Sequence, residues 1–234
     1  NTIAAFIMEP ILGAGGIMVP HETFMPGMRD LCTKHGILMI ADEVITGFGR
    51  TGDWSGSRHW GVQPDFMCTA KAITNGYYPF GACMIANHVA EAFEKAGAEG
   101  FVGHGYTYTA HPVGAAAAIA CLKETERLDV RTNATARGTQ MFEGAKRLMA
   151  KHNAIGDVRG AHGLMTALEF VKDRDTKEPM DPSFGQAVQK VAYEKGAMLR
   201  VSGPNVLLSP PLVISEADVD VILNAIDAGL TAVS

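Results

Sequence analysis

The four cysteines, Cys32, Cys68, Cys83 and Cys121, form no C-x-x-C pair. They read as the reduced thiols of a cytoplasmic protein rather than as a disulfide framework. Charge is scarce at 19% Asp, Glu, Lys and Arg, and the net charge of −5 argues against a nucleic-acid surface. The apolar runs are all short, so none reads as a membrane span. H-E-x-x-H is absent, as are internal repeats and low-complexity tracts. No signal peptide is read in the sequence, and position 1 is Asn rather than Met. Asn1-Thr2-Ile3 runs straight into an apolar stretch closed by Pro10, so the chain is expected to begin inside a larger protein, with any site that needs upstream residues incomplete. What is present is a 47% hydrophobic composition over 234 residues, enough to bury the core of one large domain or two small ones. This balance favours small-molecule chemistry.

Apolar runs at 3–8, 37–41, 66–70 and 81–86 are short, nearly continuous and bounded by turn residues, which predicts buried strands. Between the first two, Thr23 is a candidate cap for a helix carrying Met25, Met28, Leu31 and Cys32 at helical spacing, with Gly36 beyond its end. That strand, helix, strand order predicts parallel pairing in an α/β sheet. From Pro112 to about Ala150 the pattern is one long connecting helical region. Strands at Leu164–Val171 and Ala197–Val201, helices at Ser183–Lys195 and Ser215–Ala232, and a charged, proline-bearing loop at 172–182 then predict a smaller α+β domain.

Asp42 ends the apolar run 37–41, where parallel sheets place ligands; the position suits either a turn cap or a site carboxylate. Lys71 follows 29 positions later (71 − 42) in Thr69-Ala70-Lys71-Ala72-Ile73. A carboxylate that keeps a pyridine nitrogen protonated, with a desolvated lysine that attacks an aldehyde, is what Schiff-base chemistry on pyridoxal phosphate requires. A lysine in this position is otherwise a snorkelling surface residue. Glu43, beside Asp42, reads as structural.

Gly47-Phe48-Gly49-Arg50-Thr51-Gly52 matches G-x-G-x-x-G but fails as a dinucleotide fingerprint: Asp42 and Glu43 would crowd a pyrophosphate, and no apolar helix starts at Asp53. We read it as a shaped active-site loop. His104-Gly105-Tyr106-Thr107-Tyr108-Thr109-Ala110-His111-Pro112 offers hydroxyls and a helix start that suit an anion, or is simply a polar loop. His104 and His111 lack a third metal ligand. Arg200 lies within an apolar strand and needs an anionic partner, either a buried acid or a substrate carboxylate.

Taken together, Glu9-Pro10, Ala41-Asp42-Glu43-Val44-x-Thr46-Gly47-Phe48-Gly49-Arg50-Thr51-Gly52, Gly61-Val62-x-Pro64-Asp65, Ala70-Lys71 and His104-Gly105-x-Thr107-Tyr108-x-x-His111-Pro112 resemble class III aminotransferases, pyridoxal-phosphate enzymes of fold type I. Val158-Arg159-Gly160, Gly163-Leu164-Met165 and Pro210-Pro211-Leu212 fit as well, so the resemblance covers essentially the whole chain. It implies the C-terminal portion of a three-layer αβα large domain over 1–125, then a linker helix and small α+β domain over 126–234. It also implies roles: Lys71 forms the Schiff base and moves the proton, Asp42 pairs with the pyridine nitrogen, Val44 packs under the ring, and Thr107 with the backbone of Tyr106 binds the phosphate of a neighbouring subunit. The expected assembly is a homodimer or a dimer of dimers.

Relatives acting on ornithine or 4-aminobutyrate carry an acid after the Glu-Pro segment, where this chain has Ala14. The resemblance is therefore nearer the pyruvate-dependent branch that takes ω-amino acids, taurine or simple amines, in which Arg200 would hold the acceptor carboxylate. Trp60 would line that pocket, or else pack. The family's Ser-Gly-Ser/Thr phosphate loop and its ring-stacking aromatic are expected upstream of residue 1; Ser55-Gly56-Ser57 comes too late. A pyridoxal-phosphate isomerase or decarboxylase, and a non-catalytic dimerising piece, are the alternatives.

Overall fold

The structure, a computed structural model, describes residues 2–233; Asn1 and Ser234 lie outside the described residues. Two compact units are present, one built from 1–10, 20–48 and 55–128, the other from 11–19, 49–54 and 129–234.

The first unit holds a four-stranded sheet of Ala5–Met8 (β1), Leu38–Asp42 (β2), Phe66–Thr69 (β3) and Ala82–Ile85 (β4), in that order. β1 and β3 flank β2 in parallel, as the strand, helix, strand pattern predicts, and β4 closes the edge antiparallel to β3. Phe24–His35 (α1) makes the first crossover and buries Met25 and Cys32 against Met39 and Val62. Gly36 ends it in the left-handed region (φ 64°), its N–H directed at the carbonyls of Cys32 and Thr33. Thr23 does not act as the expected cap; its hydroxyl lies 2.9 Å from His21 Nδ1 instead.

Two strands read as buried are not. Phe6 and Met8 of β1 pack on the α1 core, whereas Ile7 on the opposite face is 59% exposed; in β4, Met84 and Ile85 are exposed as well. A continuous apolar run suits cover on both faces, but in β1 only alternate residues receive it. Leu31, placed on the core face of α1 by spacing, is likewise exposed. Asn87–Ala96 (α2) follows β4.

The expected single helical region is two helices, Pro112–Arg127 (α3) and Val130–Lys151 (α4), broken where Asp129 turns left-handed (φ 45°). α3 opens on a proline, which has no N–H to leave unpaired there, and packs beside the Lys71–Ile73 turn.

The second unit carries an antiparallel sheet in the order β5-β6-β8-β7, formed by Ile155–Arg159 (β5), Thr166–Phe170 (β6), Arg200–Ser202 (β7) and Asn205–Leu208 (β8). α4, Pro182–Glu194 (α5) and Glu216–Val233 (α6) share one core with it, centred on Met141, Leu168, Phe170, Val188, Ile226 and Leu230. α5 starts where Asp181 accepts the N–H of Ser183 (2.9 Å). β5 and β8 were not expected. Ile155-Gly156-Asp157-Val158-Arg159 has too few apolar residues to stand out, and Asn205-Val206-Leu207-Leu208 is brief. Close packing is visible at Gly138 of α4, where an added Cβ would lie 2.0 Å from the Gly163 carbonyl oxygen.

Candidate active site

Asp42 and Lys71 reach the same end of the first sheet because their strands run parallel. Asp42 is the last residue of β2, paired in register with Cys68 of β3, and Lys71 follows Cys68 by three positions. The half-buried Asp42 accepts the Val44 N–H at Oδ1 (3.0 Å), and no other hydrogen bond or ion pair engages it among the described residues. One carboxylate oxygen is therefore open to a ligand. Lys71 opens a single 3-10 turn with a left-handed backbone (φ 42°), and its carbonyl accepts the Thr74 N–H at 3.3 Å. That conformation costs a non-glycine residue about 1–3 kcal/mol and clusters at functional sites. The expected desolvation is not seen in this chain: Lys71, two positions beyond the end of β3, is exposed.

Glu43, beside Asp42, is structural as its neighbours suggested. Its buried carboxylate accepts the N–H groups of Gly56 (2.7 Å) and Ser57 (2.8 Å) and the Thr46 hydroxyl, fixing the turn that follows. Trp60 ends that turn and packs on the Met25–Met39 cluster, the packing alternative weighed above.

The glycine-rich segment opens no helix; the next element is the short 3-10 turn Gly56–Trp60, so dinucleotide binding is ruled out. Residues 49–54 instead belong to the second unit. There Arg50 donates to the carbonyls of Leu164 (3.0 Å) and Pro210 (2.7 Å), and its own carbonyl accepts the Leu164 N–H (3.0 Å). Burial pushes the Arg50 guanidinium down to about 10, which still leaves it protonated at neutral pH.

The loop 101–110 is exposed throughout, Thr107 included. Tyr106 and Thr109 close a turn on each other: the Tyr106 N–H donates to Thr109 Oγ1 (2.9 Å) and the Tyr106 carbonyl accepts the Thr109 N–H (2.9 Å). The Thr107 side chain takes no part in that turn. Arg200, expected within an apolar strand, starts β7 at the sheet edge, is exposed, and makes no hydrogen bond or ion pair among the described residues. An antiparallel sheet can leave one face to water, so the burial cost that seemed to demand a partner does not arise at the exposed Arg200.

One polar centre escaped the sequence reading. Asp65 accepts the Met39 N–H (2.6 Å) and Arg29 Nη1 (2.8 Å) and lies 3.0 Å from His88 Nε2. Burial pushes its carboxyl up, but the Met39 and Arg29 hydrogen bonds outweigh this and hold it below the usual carboxylate range. It lines a cavity of about 550 Å³ with Arg29, Leu38 and His88. Leu38 begins β2 and Asp42 ends it, so that cavity lies at the opposite end of the strand from the candidate site. No group of residues suited to a metal ion occurs among the described residues.

Comparison with known proteins identifies the family. Residues 1–230 match the family described as Aminotransferase class-III. The chain is 38% identical over 221 residues to a putrescine–pyruvate aminotransferase of Pseudomonas aeruginosa, covering 94% of this chain and 48% of that protein. It is 37% identical to a taurine–pyruvate aminotransferase of Bilophila wadsworthia, covering 100% of this chain and 53% of the relative. Among solved structures, an amine transaminase from an uncultivated Pseudomonas species, in its PLP-bound form, superimposes with a TM-score of 0.96 at 43% identity, over 100% of this chain and 53% of that one. The chain thus spans about half the length of the relatives it matches. With the family signature running from residue 1 to 230 and the fold shared with solved transaminases, this chain belongs to the class III aminotransferases.

Proposed function

We propose that this chain carries the lysine-bearing part of a pyridoxal-phosphate site and serves an enzyme that moves an amino group from an ω-amino acid, taurine or another amine to pyruvate or another keto acid. The observation that carries the reading is the placement of Asp42 and Lys71 beyond the carboxyl ends of adjacent parallel strands, with one Asp42 oxygen unengaged. That oxygen suits a protonated ring nitrogen, and the Lys71 amine, exposed in this chain, suits an aldehyde. When bound, the cofactor supplies a carbonyl for amine exchange and an electron-poor ring that stabilises charge at the carbon losing its proton.

In this reading Asp42 holds the proton at the ring nitrogen, and the Val44 N–H fixes the carboxylate's orientation. Lys71 Nζ would take the proton from the amine-bearing carbon of the donor and carry it to a second carbon that is not the donor's own. Val44 packs beneath the ring. The Thr107 hydroxyl binds the cofactor phosphate of a second copy, a role its exposure supports. Arg200 holds the carboxylate of the acceptor, its guanidinium being unengaged. Pyruvate as acceptor is supported by the names of the putrescine and taurine relatives, and by Ala14 standing where an acid would compete for Arg200. A homodimer in the cytoplasm belongs to the same proposal; four free thiols fit a reducing compartment, and among the described residues no helix is long and apolar enough to cross a membrane.

The test is to incubate the chain with pyridoxal phosphate, reduce with borohydride and map the adduct by peptide mass spectrometry. A pyridoxyl group confined to Lys71, and absent from Lys71→Ala, is the expected result. Labelling spread over surface lysines, or unchanged by that substitution, would overturn the assignment of Lys71.

A further inference from the structure

Residues 11–19 belong to the second unit, and one arginine fastens them to its sheet. The loop doubles back on itself: Leu12 and Met18 exchange N–H to carbonyl hydrogen bonds (3.1 and 3.0 Å), and the Gly13 carbonyl accepts the N–H groups of Gly16 (3.2 Å) and Ile17 (3.0 Å). Ala14 stands at its tip. Arg159 Nε donates to the Gly16 carbonyl (3.0 Å), Nη2 to Asn205 Oδ1 (2.6 Å), and Nη1 to Asp157 (2.9 Å) and to Glu169. Gly16 is buried at φ 127°, and a Cβ there would lie 3.2 Å from Arg159 Nη2 and 3.6 Å from Asn205 Nδ2, so only glycine lets the loop backbone rest on both side chains. Asn205 in turn donates from Nδ2 to the Ser202 carbonyl (3.3 Å) across the β7–β8 turn.

The sheet register puts Arg159 and Arg200 on one face. Arg159 pairs with Ala167, Ala167 with Leu207 and Leu207 with Arg200, a single row across four strands with an arginine at each end, about 14–15 Å apart at normal strand spacing. The row of Asp157, Glu169, Asn205 and Ser202 lies two positions away along each strand and so on the same face. Leu168, Phe170, Val206 and Leu208 alternate onto the core side. A line of hydrogen bonds therefore runs from the Gly16 carbonyl through Arg159 and Asn205 to Ser202, two residues from Arg200.

The geometry points to Arg159 as a positioning residue for acceptor recognition, which builds on the reading that gives Arg200 the acceptor carboxylate. Its guanidinium ties the loop that carries Ala14 to the β7–β8 turn beside Arg200, and so sets where both stand. Arg159 does not itself hold substrate, because Asp157 and Glu169 already engage its charge. What the place requires is the planar fork: Nε and Nη2 reach the loop and the turn at once, whereas a lysine has one nitrogen and cannot span the two. Charge-assisted recognition of a carboxylate depends on where the guanidinium is held. Loss of the tie should therefore weaken acceptors that carry a carboxylate and spare one that does not.

The experiment compares the complete enzyme with its Arg159→Met and Arg159→Lys forms, pairing one uncharged amine donor with pyruvate or with butanal, an acceptor that has no carboxylate. Arg159→Met should raise the KM for pyruvate about tenfold or more, with kcat and the KM for butanal within about twofold of the parent. Arg159→Lys should show the same split. Asn205→Ala breaks the second link while keeping Arg159; it should move the pyruvate KM in the same direction, and it decides the matter should thermal melting show that Arg159→Met does not fold. Equal changes for the two acceptors, or none for either, would overturn the proposal. Borohydride labelling of Lys71 in the parent, and a raised pyruvate KM in Arg200→Ala, check the underlying reading separately. Failure of either control overturns that reading and the proposal with it; success of both, with no split in the Arg159 and Asn205 variants, overturns the proposal alone.

Discussion

Lys71 joins the proposed chemistry to a backbone conformation that suits glycine better than lysine, since its φ of 42° brings Cβ against the following carbonyl. Replacing it with glycine should therefore do two opposite things: abolish borohydride-trapped labelling and raise unfolding stability by about 1 kcal/mol. Urea denaturation beside peptide mapping reads both, and a destabilised Lys71→Gly chain would show that the conformation is not strained. At Asp42 the charge is what matters. Asp42→Asn keeps the Val44 hydrogen bond through its amide oxygen but withdraws the negative charge, so transamination by the complete enzyme should slow by about 10²- to 10⁴-fold while borohydride still labels Lys71. An asparagine variant with undiminished turnover would remove Asp42 from the mechanism. Glu43 shows how neighbouring acids differ: one position beyond β2, its carboxylate is taken up by the N–H groups of Gly56 and Ser57, whereas Asp42 keeps one oxygen unengaged.

At the level of elements, Asp65 is the residue that fastens α1, β2 and α2 together, through Arg29, the Met39 N–H and His88. Asp65→Ala leaves the Met39 N–H and the Arg29 guanidinium without their acceptor and should destabilise the chain by about 2–3 kcal/mol in urea denaturation. Its carboxyl is held below the value of about 3.9 expected when unfolded, so the stabilisation is complete above that pH and is lost as pH falls through the lower, folded value. Asp227, held down by His152 and then Lys151, adds a loss of the same sign. The acid limb of a stability-against-pH curve should therefore flatten below about pH 4 in Asp65→Asn; an unchanged limb would contradict the assignment. The sequence made much of this level readable. Parallel β1, β2 and β3, the Gly36 stop, α5 and α6 follow from apolar period and turn residues, which act locally. Asp65 did not stand out because its partners lie 26 and 36 positions away, and β5 because its glycine and two charges mask a strand that α4 and β6 complete. Arg200 and Lys71 are both exposed in this chain where apolar neighbours suggested burial, because a run of apolar letters does not say which face is covered or where a strand stops.

Across the whole molecule, the chain passes between its two units five times, at 10/11, 19/20, 48/49, 54/55 and 128/129. Each unit holds one tryptophan, Trp60 in the first and Trp54, under the Arg131 guanidinium at 4.8 Å, in the second. Losing either unit frees segments threaded through the other, so the two should unfold together. Trp54→Phe and Trp60→Phe chains, each reporting by its remaining indole, should give coincident denaturant midpoints, and Gly138→Ala, which forces a methyl onto the Gly163 carbonyl, should lower both by a similar amount, equivalent to about 1–3 kcal/mol. Separate midpoints would mean that the units melt independently. The same threading bears on how the protein is made. Arg50 reaches its Pro210 acceptor 160 positions further along the chain. At about 5–20 residues per second a ribosome needs roughly 8–30 s to cover that interval. Throughout it the glycine-rich segment has left the ribosome with its guanidinium still hydrated and its closing partner unmade. Synthesis therefore delivers the first sheet before the second unit can claim residues 11–19 and 49–54, and the stretch 129–234 is what draws those early segments into place.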